Sequence, residues 1–95
     1  MGFSMLISFL WDLDDDPDGN VQHIAQHGIT EDEFEEVVMN DWPPSATSRS
    51  SGEPMSFGWT MTGKYLACVY EVVEQNPPVV RPITAFESKP PGGMP

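Results

Sequence analysis

Apolar residues run almost unbroken from Ser4 to Trp11, with Leu6, Ser8 and Leu10 alternating against Ile7, Phe9 and Trp11. An extended segment that is apolar on both sides predicts a strand over 4–11 covered on both faces. Asp12-Leu13-Asp14-Asp15-Asp16-Pro17-Asp18-Gly19 then breaks the run with turn and helix-start residues. Val21, Ile24 and Ala25 recur at helical spacing and predict a helix over 19–27, stopped by Gly28. Thr30 with Glu33 is a capping box, T-x-x-E, opening a second helix over 30–40. Phe34, Val37 and Val38 form its apolar stripe, Ile29 staples onto Phe34, and Glu31, Asp32, Glu35 and Glu36 face water. Pro43-Pro44 ends it.

The Ser/Thr-rich stretch 43–54 reads as a loop with room for one short or irregular strand. Three strand patterns follow, over 55–62, 64–73 and 79–87. Gly63-Lys64 closes a hairpin between the first two, and Glu74-Gln75-Asn76-Pro77-Pro78 turns into the third. Pro82 lacks a ladder donor, so its strand is an edge or is paired on one side only near that residue. Residues 88–95, rich in Pro and Gly, are expected to be a disordered tail. The predicted fold is α+β, in the order β-α-α-β-β-β. One domain over 1–87 has two helices packed on one face of a mainly antiparallel four-stranded sheet.

Ninety-five residues suffice for a modest core without staples. Cys68 is the single cysteine and lies in an apolar run, so it is read as a core residue in a chain without an internal disulfide. The apolar N-terminus has no basic flank and no small-residue cleavage site, and it is too short to span a bilayer. These features point to a cytoplasmic protein with no membrane association.

Charge narrows the function most. Fifteen acids stand against four bases, Arg49, Lys64, Arg81 and Lys89, for a net charge of −11. Nucleic-acid affinity rises with each phosphate neutralised, so nucleic acid is not an expected partner. His23 and His27, four apart on a helix, have zinc-ligand spacing with Asp12 or Asp16 as a third donor, but no H-E-x-x-H motif accompanies them. The alternative is packing or hydrogen bonding at the helix–sheet junction for His23 and helix termination for His27. Asp14-x-Asp16-x-Asp18-Gly19 fits the first half of an EF-hand loop, and Val21 suits its eighth position. Its twelfth position is Ala25, where a bidentate Glu belongs. The bland reading is an acidic helix-capping turn. No bound metal and no cofactor are expected. Arg49, among Ser48, Ser50 and Ser51, and Lys64 at the hairpin turn are the best candidates for an anion site. Trp11 and Phe57 are expected in the core. Trp42, beside the acidic helix, is either a protein-contact anchor or a lid over the sheet edge.

Two segments carry a resemblance. The first is Trp11-Asp12 with His27-Gly28-Ile29-Thr30 and then Glu33-Phe34-Glu35-Glu36-Val37. The second is Gly58-Trp59-Thr60-Met61-Thr62-Gly63-Lys64 with its following strand. In order and spacing they resemble the BrnT family of type II toxins, small ribonucleases related to RelE and ParE. The similarity covers most of residues 9–87. It implies a RelE-like fold and, for a functional toxin, a metal-independent ribonuclease. In that role Arg49 and Arg81 would stabilise phosphate and His27 would be the general acid/base. The chain departs from the family at Gln26, where Lys is usual. It departs again after Arg81, where Pro82-Ile83-Thr84-Ala85-Phe86-Glu87 and a Pro-rich tail replace a basic strand end and helix. The expectation is therefore an acidic BrnT-like interaction domain without robust ribonuclease activity. Its contact surface would be Glu31, Asp32, Glu35, Glu36 and Trp42 with the Asp12–Asp18 turn. Its partner would be a protein with a basic surface, such as a cognate antitoxin-like protein. The chain itself would be a monomer or weak homodimer. The alternative is the ribonuclease of a toxin–antitoxin pair.

Overall fold

The computed structural model describes residues 6–90. Its elements in chain order are β1 (Ser8–Phe9), α1 (Asn20–Ala25), α2 (Glu31–Asn40), β2 (Ala46–Thr47), β3 (Pro54–Trp59), β4 (Tyr65–Gln75) and β5 (Pro78–Glu87). They build one five-stranded mixed sheet in the order β1-β5-β4-β3-β2, with β1 parallel to β5 and every other pair antiparallel. The α+β class and the two helices match the sequence pattern. The strand count of four does not. The fifth strand is β2, in the Ser/Thr-rich stretch, where Ala46 and Thr47 pair with Met55 and Pro54. Gly52, at φ 76°, turns the chain back, and its N–H donates to Ser48 O.

The first strand is also shorter and barer than its apolar run implies. Residues 4 and 5 lie outside the described residues, and only Ser8 and Phe9 pair, with Val79 and Val80. Ile7 is buried, but Leu6 is 79% exposed and Leu10 is exposed too, so β1 is covered on one face only. The ladder stops because the Asn20 side chain takes it over. Its Nδ2 donates to Leu10 O at 3.0 Å and Pro82 O at 3.1 Å, bridging β1 to β5 just where Pro82 offers no N–H. Asp12 and Asn20 then close a reciprocal pair: Asp12 N donates to Asn20 Oδ1 and Asn20 N to Asp12 Oδ2, both at 2.9 Å. Gly19 must be glycine here, since a Cβ would lie 2.7 Å from Asp12 Cβ. Pro82 thus sits in an interior strand that is paired on one side beyond Val80. A register shift between Val69 and Tyr70 absorbs the irregularity.

The helices follow their sequence signals. Thr30 and Glu33 form both hydrogen bonds of the capping box, and Gly28 adopts φ 77° after α1. Ile24 from α1 and Phe34, Val37 and Val38 from α2 pack on Leu66, Cys68 and Tyr70 of β4 and Val80 and Ala85 of β5. All of these are fully buried, which is why a chain of this size holds together without staples. Burial pushes the Cys68 thiol up, consistent with a packing role. Tyr70 is buried with its hydroxyl donating to Ser56 Oγ at 2.6 Å, since Ser56 gives its own proton to Asp41 O. Burial, partly offset by that hydrogen bond, pushes the Tyr70 phenol up to about 12. Asp41 Oδ2 accepts from Phe57 N at 3.0 Å, so a side chain caps the outer edge of β3 beyond the short β2. Ser88–Pro90 carry no helix or strand, and the rest of the expected tail, 91–95, lies outside the described residues. Among the described residues no helix is long and apolar enough to cross a membrane.

Candidate functional site

The two segments that carry the family resemblance meet in space, and what they build is a structural clamp. Lys64 N donates to Thr60 Oγ1, Thr60 Oγ1 lies 2.6 Å from Thr62 Oγ1, and Thr62 donates to Glu33 Oε2. Lys64 Nζ reaches Gly28 O at 2.6 Å and Glu33 Oε1 at 3.2 Å. The hairpin tip is thereby tied to the N-terminus of α2 and the end of α1. Burial alone would raise the Glu33 carboxyl. The hydrogen bonds from Thr62, Thr30 N and Lys64 outweigh it and hold the group below the usual carboxylate range. Lys64 is therefore an internal partner rather than one wall of an anion site.

The three residues of the ribonuclease reading line different places. Arg49, exposed on the β2–β3 turn, borders a groove of about 580 Å³ on the sheet face away from the helices. Arg81 borders a shallow cleft of about 410 Å³ with Asp12, Asp18 and His23, and its guanidinium is 3.9 Å from Asp12. Ile83 is a wall common to both. His27 is exposed at the end of α1 and lines neither. The histidine in the cleft is His23, whose Nε2 lies 2.9 Å from Thr84 Oγ1, with the His27 ring 5.5 Å beyond it. That contact joins α1 to β5, the helix–sheet role the sequence offered for His23 as the alternative to a metal-spaced pair. Among the described residues no three His, Cys, Asp or Glu side chains are grouped to hold a metal. In the Asp14–Gly19 turn, Asp16 Oδ1 instead accepts from Asp18 N.

The acidic residues singled out for partner contact divide into two groups. Glu35 Oε2 accepts from Trp11 Nε1 at 2.7 Å, and Glu36 accepts from Met61 N at 3.0 Å, so both have internal donors. Asp32 is exposed, and Glu31 is half-buried. Partial desolvation, then the neighbouring charges of Asp14 and Glu35, raise the Glu31 carboxyl. Asp14 of the acidic turn thus lies close enough to the start of α2 to act on Glu31. Trp42 is half-buried, stacks on Tyr70 at 6.3 Å and lines a recess with Pro43, Pro44 and Val72.

The charge is split along the chain. Eleven of the fifteen acids precede Trp42, with no Lys or Arg among those residues. From Trp42 onward four acids and four bases cancel. The whole −11 therefore falls on the acidic turn, α2 and Asp41, while the residues from Trp42 onward sum to zero. The sheet face away from the helices is apolar. Phe57 stacks on Tyr65 at 6.2 Å, and Trp59 meets Tyr65 edge-on at 5.3 Å. Trp59 is 55% exposed, Phe86 39% and Ile83 37%. Phe57, expected in the core, is half-buried in this second cluster with Met55, Ala67, Val69 and Ala46.

No family model matches the chain, and neither a curated protein nor a solved structure is significantly similar to it.

Proposed function

We infer that the chain is a BrnT-like, RelE-like domain that works as a cytoplasmic protein-interaction module and not as a ribonuclease. Its partner presents a basic surface to the helical layer, as a cognate antitoxin-like protein would. One observation carries this reading: the entire net charge of −11 resides in the residues before Trp42, where no Lys or Arg offsets it. A field of that sign attracts cationic surfaces and repels phosphate over about 8 Å at physiological salt. The few cations add support, because Lys64 is paired with Glu33 and Arg81 stands beside Asp12. The contact residues this reading favours are Asp14, Glu31 and Asp32, exposed or half-buried near one another, with Asp15 exposed beside Asp14.

The test is a pair of titrations at low and moderate salt, one with a short lysine-rich amphipathic peptide and one with single-stranded RNA. The peptide is expected to bind, more weakly as salt rises, and the RNA neither to bind nor to be cleaved. Binding is also expected to tighten as pH rises through the raised Glu31 value, since a nearby cation favours the ionised carboxylate. RNA cleavage that survives moderate salt and disappears in Arg49→Ala or Arg81→Ala would restore the toxin reading.

A further inference from the structure

The outer face of α2 carries more than charge. Glu33, Phe34, Val37 and Val38 are its buried residues, so the helical period puts Asp32 and Met39 on the opposite crest, two turns apart. Glu35 and Glu36 stand on either side of that crest, and another segment meets each flank. On one flank Glu35 accepts from Trp11 Nε1 and Asp14 stands close to Glu31, so residues 11–14 run along the helix with Leu13 between the two anchors. On the other flank Glu36 accepts from Met61 N at 3.0 Å, and Lys64 reaches Glu33, which brings the β3–β4 hairpin tip alongside. Leu13 is 75% exposed, Met61 92% and Met39 51%. Three bare apolar side chains are thus set among the acids of one helix face.

We propose that the segment bound here is a basic amphipathic helix lying across α2, its apolar stripe on Leu13, Met39 and Met61 and its cations among Asp14, Glu31 and Asp32. This rests on the reading of the helical layer as the contact surface for a cationic partner, and adds the partner's shape and a second kind of contact. Charge alone would accept any flexible basic chain. The apolar positions select a helix, because their spacing matches one. An α-helix with its side chains is about 10–12 Å across, so Leu13 and Met61, on the two flanks of α2, are about that far apart. Residues seven apart on a partner helix share a face and are separated by about 10.5 Å. Unbranched methionine side chains adapt to whatever apolar residue meets them. The cation that reaches this face, Lys64, is held by Glu33 and Gly28 O, so it does not oppose incoming lysines. Burial of the apolar stripe resists salt, whereas the charge contacts weaken with it.

Two synthetic peptides of about 18 residues, long enough for about five helical turns, test this. Both have the same composition and the same lysines. In one the leucines recur at helical spacing, and in the other they are permuted so that no apolar face forms. Each is titrated at low and moderate salt against the wild type, Leu13→Ser and Met61→Ser. Both side chains are exposed, so the fold is expected to survive, as checked by circular dichroism and a cooperative melt. The patterned peptide is expected to bind the wild type at least about tenfold more tightly than the permuted one, and to keep that advantage at moderate salt. Each variant is expected to lose about threefold or more in affinity for the patterned peptide and to bind the permuted one as the wild type does. Equal binding of the two peptides to the wild type overturns the proposal while leaving the acidic surface as a contact for cationic chains. Binding of neither peptide overturns both. A preference undiminished in either variant overturns the placement on Leu13 and Met61. If a variant loses its melt, the Met61 methyl signal of the wild type decides. A shift confined to the patterned peptide supports the contact, and any other response contradicts it.

Discussion

β4 has two apolar faces that are covered by different means. Leu66, Cys68 and Tyr70 point to the helices and are fully buried. Tyr65, Ala67 and Val69 point the other way, where Ala67 and Val69 are buried beneath β2, the turn after it and neighbouring aromatics, Tyr65 is half-buried, and no second layer of helices or strands exists among the described residues. The covered face is also latched at its margins by polar side chains. Asn20 spans β1 and β5, Asp41 caps β3, and the Glu33–Lys64 clamp holds the hairpin tip. Among the described residues the open face has no comparable latch. The lesson is that apolar period-two patterning marks what a strand buries or offers, while the placement of polar latches marks which face the chain itself completes.

The largest expected effect breaks this comparison most sharply. Phe34→Ala on the covered face should cost about 3–5 kcal/mol, since Phe34 is fully buried against Trp11 and Tyr70. Phe86→Ala on the open face should cost under about 1 kcal/mol in the monomer. Urea unfolding of both variants measures the gap, and equal losses would mean that the open face is part of the monomer core.

Asn20→Ala comes next. It leaves Leu10 O and Pro82 O without their donor in a buried setting, and should cost about 2–3 kcal/mol. The neighbouring Asp18→Asn, exposed, should stay within about 0.5 kcal/mol. A neutral Asn20→Ala would show that the strand junction does not depend on the amide.

The clamp gives a signed pH dependence. Glu33 is depressed in the folded state relative to the ordinary value of 4.5. Its contribution is complete above that value and is lost as pH falls through the lower folded one. Glu33→Gln should cost about 1–2 kcal/mol at neutral pH and flatten the acid limb of a stability-against-pH curve. An acid limb identical to wild type would contradict the clamp. Glu31 has the opposite sign, because its folded value is raised and ionisation is disfavoured in the fold. Glu31→Gln should therefore stabilise the protein by a few tenths of a kcal/mol at pH 7, with no gain once pH falls below the ordinary carboxylate range. A loss of stability would argue against crowding by Asp14.

Local signals in the sequence were strong where one residue type has one use. Thr30 and Glu33 announce the capping box, Gly28 the helix stop and Gly63-Lys64 the hairpin, and each stands where expected. Cys68 and the Phe34 stripe likewise reach the core. What could not be read depends on long-range contacts. Nothing in Asn20 signals a bridge to Pro82, sixty-two positions away. The two-residue β2 is too short to show a period, and the apolar run before Asp12 does not reveal that Leu6 and Leu10 face outward. At the candidate sites, residue types were legible and company was not. Lys64 reads as a free cation until Gly28 O and Glu33 claim it, and Glu35 and Glu36 read as solvated until Trp11 and Met61 donate to them.

The most direct measurement compares two variants in one titration against the lysine-rich peptide. One carries amides at Asp14, Asp15, Glu31 and Asp32, and the other is Trp59→Ala. The account expects the amide variant to lose about tenfold or more in affinity together with most of its salt dependence, and Trp59→Ala to bind as the wild type does. A peptide that still binds the amide variant but is lost from Trp59→Ala would contradict the division between an acidic helical layer and an apolar open face.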